Sequence, residues 1–132
     1  MRNPYSQDYA PPMPILKIRL SFPGQAPITD ELTAIVDTGS DGTIAPPRFI
    51  APFRSDETDR TWLVSPWGER RLEMVYVLDI HIGSLCLPSV RVVKDSRGKE
   101  LILGRDVLNK LRVLLDGPAQ TTEILEPKSK RK

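Results

Sequence analysis

The sequence predicts an all-β fold, a small barrel with one short helix near the carboxyl end, on three observations. Leu16, Ile18, Leu20 and Phe22 alternate with Lys17, Arg19 and Ser21, the period-two spacing of a half-buried strand. The other apolar runs are short and broken by turn residues, and proline alone fills 13 of 132 positions, about twice its average share of ~5%. Only one segment, residues 106–111, repeats its apolar residues at helical spacing, with Val107, Leu108 and Leu111 on one face. A chain of this length with 39% apolar residues suits one domain and one modest core.

Taken in order, Pro4, Pro11, Pro12 and Pro14 make the amino end an extended, loosely held arm, set at residues 1–12. The alternating strand follows and ends at Pro23-Gly24. A second run climbs from Ile28 to Ala34-Ile35-Val36 and stops at the polar turn 37–42, from which Thr43-Ile44-Ala45 leaves as a short strand. Residues 46–59, rich in proline and charge, read as an irregular loop. Thr61 to Val64 and Arg70 to Val77 can pair across Ser65-Pro66-Trp67-Gly68, a hairpin with an aromatic tip. The strand runs on through Ile82, turns at Gly83-Ser84 and returns as Leu85 to Val93. Beyond a polar loop, Leu101-Ile102-Leu103 is a short buried strand ending at Gly104. Asp106, whose charge favours a helix start, opens the one helix. Val113–Asp116 and residues 121–125 then flank Gly117-Pro118 as a last hairpin.

Composition excludes several kinds of chemistry. One histidine, His81, and one cysteine, Cys86, leave no Cys/His zinc cluster, no internal disulfide framework and no Cys-x-x-Cys pair. His81 between Ile80 and Ile82 is expected to face solvent, Cys86 to be a strand residue and not a nucleophile, and Trp62 to pack. Carboxylates are plentiful, with ten Asp and seven Glu, so any chemistry is expected to be carboxylate chemistry. Residues 128–132 hold four of the 19 basic groups and no acid, so residues 1–127 carry 15 basic against 17 acidic groups, a net of −2. That body is no nucleic-acid surface by charge, and the tail reads as a solvated end. No stretch nears the ~18 apolar residues of a membrane span, and a cytoplasmic protein is expected.

The chemistry-bearing segment is Ile35-Val36-Asp37-Thr38-Gly39-Ser40, where a buried strand delivers a carboxylate to its end and a glycine permits close approach. Asp-Thr-Gly followed by Ser or Thr arises by chance in roughly a few chains per thousand of this length. A second segment, Ile102-Leu103-Gly104-Arg105-Asp106-Val107-Leu108, runs from an apolar strand through glycine into a helix. Together they resemble the retropepsin family, the retroviral-type aspartic proteases and their single-domain cellular and bacterial relatives. The resemblance covers residues 13–127 and implies a closed acid-protease barrel with a flap hairpin, half of a pepsin-like bilobal enzyme.

It further implies an aspartic endopeptidase with Asp37 as the catalytic carboxylate, braced by Thr38 and Gly39 across a dimer axis. Substrate would meet Ser40, Asp41, Gly42 and the flap residues Ser65, Pro66, Trp67 and Gly68. Arg105 would pair with Asp41 to fasten the loop, Asp106 supporting it. Carboxylate-driven hydrolysis needs two aspartates, and the sequence has one Asp-Thr-Gly, so a homodimer with Asp37 from each chain is expected. No metal, cofactor, membrane or nucleic-acid partner is expected, only a peptide or protein substrate. A Ser40 hydroxyl aimed at Asp37 would favour its ionised form and an acidic optimum. Trp67 can serve as an apolar lid or pack on the barrel edge. The competing reading is a non-catalytic dimeric peptide-binding module on the same barrel.

Overall fold

The alternating run forms strand β2 (Ile15–Ser21), which buries Leu16, Ile18 and Leu20 and follows β1 (Arg2–Pro4). The computed structural model describes residues 1–125, with the backbone alone over residues 54–58; the basic tail at 128–132 lies outside the described residues. Strands β3 (Leu32–Val36), β4 (Thr43–Ala45), β5 (Glu57–Val64), β6 (Arg70–Ile82), β7 (Leu85–Lys94) and β8 (Leu101–Leu103) complete the main sheet in the order β2-β3-β8-β4-β7-β6-β5. β2 pairs with β3 through Ile15–Ile18 and with β6 through Arg19–Ser21. The second pairing closes six strands into a barrel and leaves β5 outside it as one arm of the flap. The barrel is filled by Leu16, Leu20, Leu78, Ile80, Val92, Leu101 and Leu103, all buried.

Residues 46–59 depart from the expected irregular loop. They form helix α1 (Pro47–Ile50), a 3-10 turn (Ala51–Asp56) and the start of β5. Proline is compatible with a first helical turn, where its missing N–H would have no partner anyway. Ile50 and Phe53, three apart, share a face and are both buried, with Phe53 edge-on to Phe22 at 5.0 Å. The burial of two large side chains outweighs the loop-like composition.

The arm is extended, as its prolines require, but it is paired in several places where a loose end was expected. β1 lies antiparallel to β10 (Thr121–Ile124), which pairs with β9 (Val113–Asp116), giving a three-stranded sheet in the order β1-β10-β9. Ser6 and Met13 exchange backbone hydrogen bonds, and the Tyr9 hydroxyl donates to Glu100. That bond, with burial, pushes the Tyr9 phenol up to about 12. The predicted carboxyl-end helix is one turn, α2 (Arg105–Leu108), burying Val107 and Leu108. No helix among the described residues is long and apolar enough to cross a membrane.

One contact fixes how α2 meets the barrel. A Cβ on Gly104 would lie 2.2 Å from the Gly42 carbonyl oxygen, whereas one on Gly42 would meet nothing within 4 Å. Gly104→Ala is therefore expected to lower stability by about 1–3 kcal/mol or more, as overpacking against a backbone does. Gly42→Ala is expected to stay near wild type. Urea denaturation of both variants checks this; equal midpoints would contradict the close approach.

Candidate active site

The 37–42 turn sits where three strands meet. β3 and β8 run parallel, Ile35 beside Ile102 and Val36 beside Leu103, and β8 bridges antiparallel to β4 at Ile102 and Ile44. β8 is thus inserted between the strands that enter and leave the turn, which must cross its end. The Asp37 N–H donates to the Leu103 carbonyl at 3.1 Å, holding the aspartate at the mouth of the barrel.

Within the turn each residue has a distinct role in the folded chain. The Gly39 N–H donates to Asp37 Oδ1 at 2.9 Å and the Ser40 N–H to the Asp37 carbonyl at 3.2 Å. Asp37 is half-buried, while Thr38 and Gly39 are exposed. Arg105 fastens the turn from the α2 side: its N–H donates to the Ser40 carbonyl at 2.9 Å, Nη1 donates to the Thr38 carbonyl at 2.7 Å, and Nη2 pairs with Asp41. Behind it, the buried Thr43 hydroxyl donates to Asp106 Oδ1 at 2.8 Å and accepts the Gly104 N–H at 3.3 Å. Thr43, which sequence patterning left as a strand residue, is the buried link between the two motif segments.

Ser40 differs from expectation. Its hydroxyl donates to the Gly42 carbonyl at 2.7 Å, closing the turn on itself, so it is not directed at Asp37.

Facing the turn is the flap, β5 and β6 joined by a tight loop in which Ser65 N–H bonds Glu69 and Gly68, at φ +86°, bonds back to Ser65. Only glycine adopts that φ without strain. Between flap and turn lies a cleft of about 820 Å3, with Asp37, Gly39 and Asp41 on one wall and Trp62, Ser65 and Pro66 on the other. Trp67 does not line it: the ring stands in solvent, 80% exposed, and Gly68 is also outside the cleft. Trp62, expected to pack, is 54% exposed, lines the cleft and carries Arg70 on its face at 4.8 Å.

The base of the flap is braced by a network that sequence spacing does not reveal. The buried Glu73 carboxylate accepts from Arg71 at 3.0 Å and from the Ser96 N–H and hydroxyl at 2.8 and 2.7 Å, while Arg71 also reaches Asp95 at 2.9 Å. Arg97 pairs with Glu69 nearer the tip at 2.8 Å.

His81 departs from expectation, whereas Cys86 is a residue of strand β7, as expected. His81 is half-buried, its Nε2 2.8 Å from Ser21 Oγ, so it does not simply face solvent. The Cys86 thiol is held above its ordinary pKa by desolvation and the Asp79 carboxylate, the opposite of what a nucleophile needs.

No family model matches the sequence, and no curated protein is similar to it in sequence. Solved structures are similar in shape. A retropepsin-like aspartic protease from Rickettsia conorii superposes with a TM-score of 0.66 at 12% identity, covering 94% of this chain and 88% of that one. The protease of EIAV, in complex with the inhibitor HBY-793, superposes with a TM-score of 0.57 at 16% identity, covering 80% and 91%. The fold is retropepsin-like. Within that retropepsin-like fold, the inserted β8 and the turn crossing its end are the features that carry Asp37.

Arg105→Ala removes both the bond to Thr38 and the pair with Asp41. It is expected to lower the urea midpoint more than Asp41→Asn, because Asp41 is 93% exposed and its pair is screened by water. An equal loss in Asp41→Asn would show that the ion pair, and not the Thr38 contact, holds the turn.

Proposed function

We propose that this protein is an aspartic endopeptidase that hydrolyses peptide bonds in extended segments, its carboxylate dyad formed by Asp37 from each of two chains. The reading rests on one observation: Asp37 is held by backbone hydrogen bonds at the barrel mouth, beneath a flap, in a cleft wide enough for a peptide. Such a dyad works because like charges about 3 Å apart cannot both ionise, so the pair keeps one proton. The ionised carboxylate takes a proton from water as the oxygen attacks the scissile carbonyl. The protonated carboxyl gives its proton to the carbonyl oxygen. Collapse of the tetrahedral intermediate breaks the C–N bond, and a proton passes to the leaving amine.

The substrate would lie as an added strand between turn and flap, with backbone groups contacting Gly39, Asp41 and Gly42 and alternate side chains entering pockets of each chain. Trp62, which lines the cleft, would be the aromatic that meets substrate from the flap, in place of Trp67. No metal or cofactor enters this chemistry.

Digestion of an unstructured peptide library supplies the test. Wild type is expected to cleave and to be blocked by a pepstatin-type inhibitor; Asp37→Asn is expected to lose turnover by several orders of magnitude while retaining the fold. Peptide binding without cleavage by wild type would instead identify a non-catalytic peptide-binding module. Because each site needs two chains, activity per chain is expected to fall on dilution through the dimer dissociation constant; activity independent of concentration would contradict a shared site. With the Ser40 hydroxyl committed to Gly42, the pH–rate profile of Ser40→Ala is expected to superimpose on wild type, and a shift of its acid limb would restore a direct role for that hydroxyl.

A further inference from the structure

The single histidine and the single cysteine, separated by five positions in sequence, converge in space with a buried carboxylate. Donor atoms of Asp79, His81 and Cys86 all lie within 4.8 Å of one another, the one such convergence of three potential ligands among the described residues. His81 and Cys86 are directly opposite each other across the Gly83-Ser84 turn of the β6–β7 hairpin. A bulge between Leu78 and Ile80 breaks the pairing register at Asp79.

We propose that Asp79, His81 and Cys86 form a binding site for a divalent transition-metal ion, with zinc the best match. The donor set of one carboxylate oxygen, one imidazole nitrogen and one thiolate suits a borderline ion and does not suit magnesium or calcium. An ion at the centre of a triangle with 4.8 Å sides sits about 2.8 Å from each corner, and the Asp79–Cys86 side is shorter, at 3.9 Å. Zinc bonds of ~2.0–2.3 Å are therefore reached by a side-chain adjustment of about half an ångström, which the exposed Cys86 can make.

The supporting groups are already in place. Asp79 is 3% exposed, and its two oxygens accept the N–H groups of Gly24 and Ser89, each at 2.8 Å. Ser89 adopts φ +54°, a strained value for a residue with a side chain, to deliver its N–H. Ser21 Oγ, 2.8 Å from His81 Nε2, holds the imidazole ring from the neighbouring strand β2. Metal ligands are commonly oriented by such outer partners. On binding, the Cys86 thiol proton is released to solvent as the metal–sulfur bond forms, with no change in oxidation state. Exposure of Cys86 leaves the remaining coordination position to water. The site begins four residues along β6 from Val75, which lines the cleft, about 13 Å of extended strand, and none of Asp79, His81 and Cys86 lines the proposed peptide cleft.

Because the chain holds one cysteine and one histidine, spectroscopy of the tag-free protein is unambiguous. Titration with Co2+ is expected to give one bound ion per chain, with the visible bands of four-coordinate cobalt and a thiolate-to-cobalt charge-transfer band, both abolished by Zn2+. Cys86→Ser, an exposed substitution, is expected to lose the charge-transfer band; His81→Gln is expected to weaken binding at least tenfold and Ser21→Ala by roughly 10–100-fold. Zn2+ is expected to raise the thermal midpoint of wild type and not that of Cys86→Ser. The proposal is overturned by absence of the charge-transfer band in wild type, by a stoichiometry of one ion to two chains, or by wild-type affinity in both Cys86→Ser and His81→Gln, each checked for folding by circular dichroism.

Discussion

Backbone meets backbone where Gly104 lies against Gly42, and the architecture around the barrel mouth depends on that approach. A side chain at 104 would push the start of α2 away from the 37–42 turn. The bonds of Arg105 to Ser40 and Thr38, and of Thr43 to Asp106, all need the two segments at this separation. Removing one hydrogen bond loosens the turn; moving the backbone loses all of them at once. Glycine at 104 is thus a requirement of packing more than of dihedral freedom, since its φ of −91° is open to any residue.

The barrel and the flap are held by different kinds of interaction. Six strands close around an apolar interior, so the aspartate is presented by the most deeply buried part of the chain. The flap extends beyond the barrel on two strands whose apolar residues are half in water, Trp62, Val64 and Leu72 among them. It is stiffened at its base by the buried Glu73 and its partners, which is where a lever arm needs to be rigid if its tip is to bend. The exposed apolar flap surface and the open cleft are the parts of the molecule best able to rearrange around an extended chain.

What was legible in the sequence was what is local. The apolar-Asp-Thr-Gly and apolar-Gly-Arg-Asp segments each specify a strand and the turn or helix at its end within a few residues; alternation places β2, and flanking turn residues place β6 and β9 closely. The pairing of Arg105 with Asp41 was expected from the resemblance alone, because 64 residues separate the partners. Thr61-Trp62-Leu63-Val64 has no alternation, so nothing in it assigns a face, and Trp62 lines the cleft where packing was expected while Trp67 neither lines the cleft nor packs. Residues 46–59 were misread because proline count signals irregular chain but is neutral at a helix start. The convergence of Asp79 with His81 and Cys86 depends on a bulge, and a bulge changes which face a residue occupies without leaving a mark in composition. The direction of the Ser40 hydroxyl is illegible for a simpler reason: a serine in a tight turn can reach its own backbone as readily as a neighbouring carboxylate.

The pairing of β1 with β10 sets a timetable for biosynthesis. Arg2 and Glu123 stand 121 residues apart, so β1 is made 121 residues ahead of its partner on β10. At ~5–20 residues per second that interval is about 6–24 s, long against the microseconds in which a hairpin closes. The β6–β7 hairpin and the barrel can organise during it, while β1 carries unsatisfied N–H and C=O groups. A polar strand with proline at its end, Arg2-Asn3-Pro4, is well chosen for that wait, because it gives a neighbouring nascent chain little to adhere to.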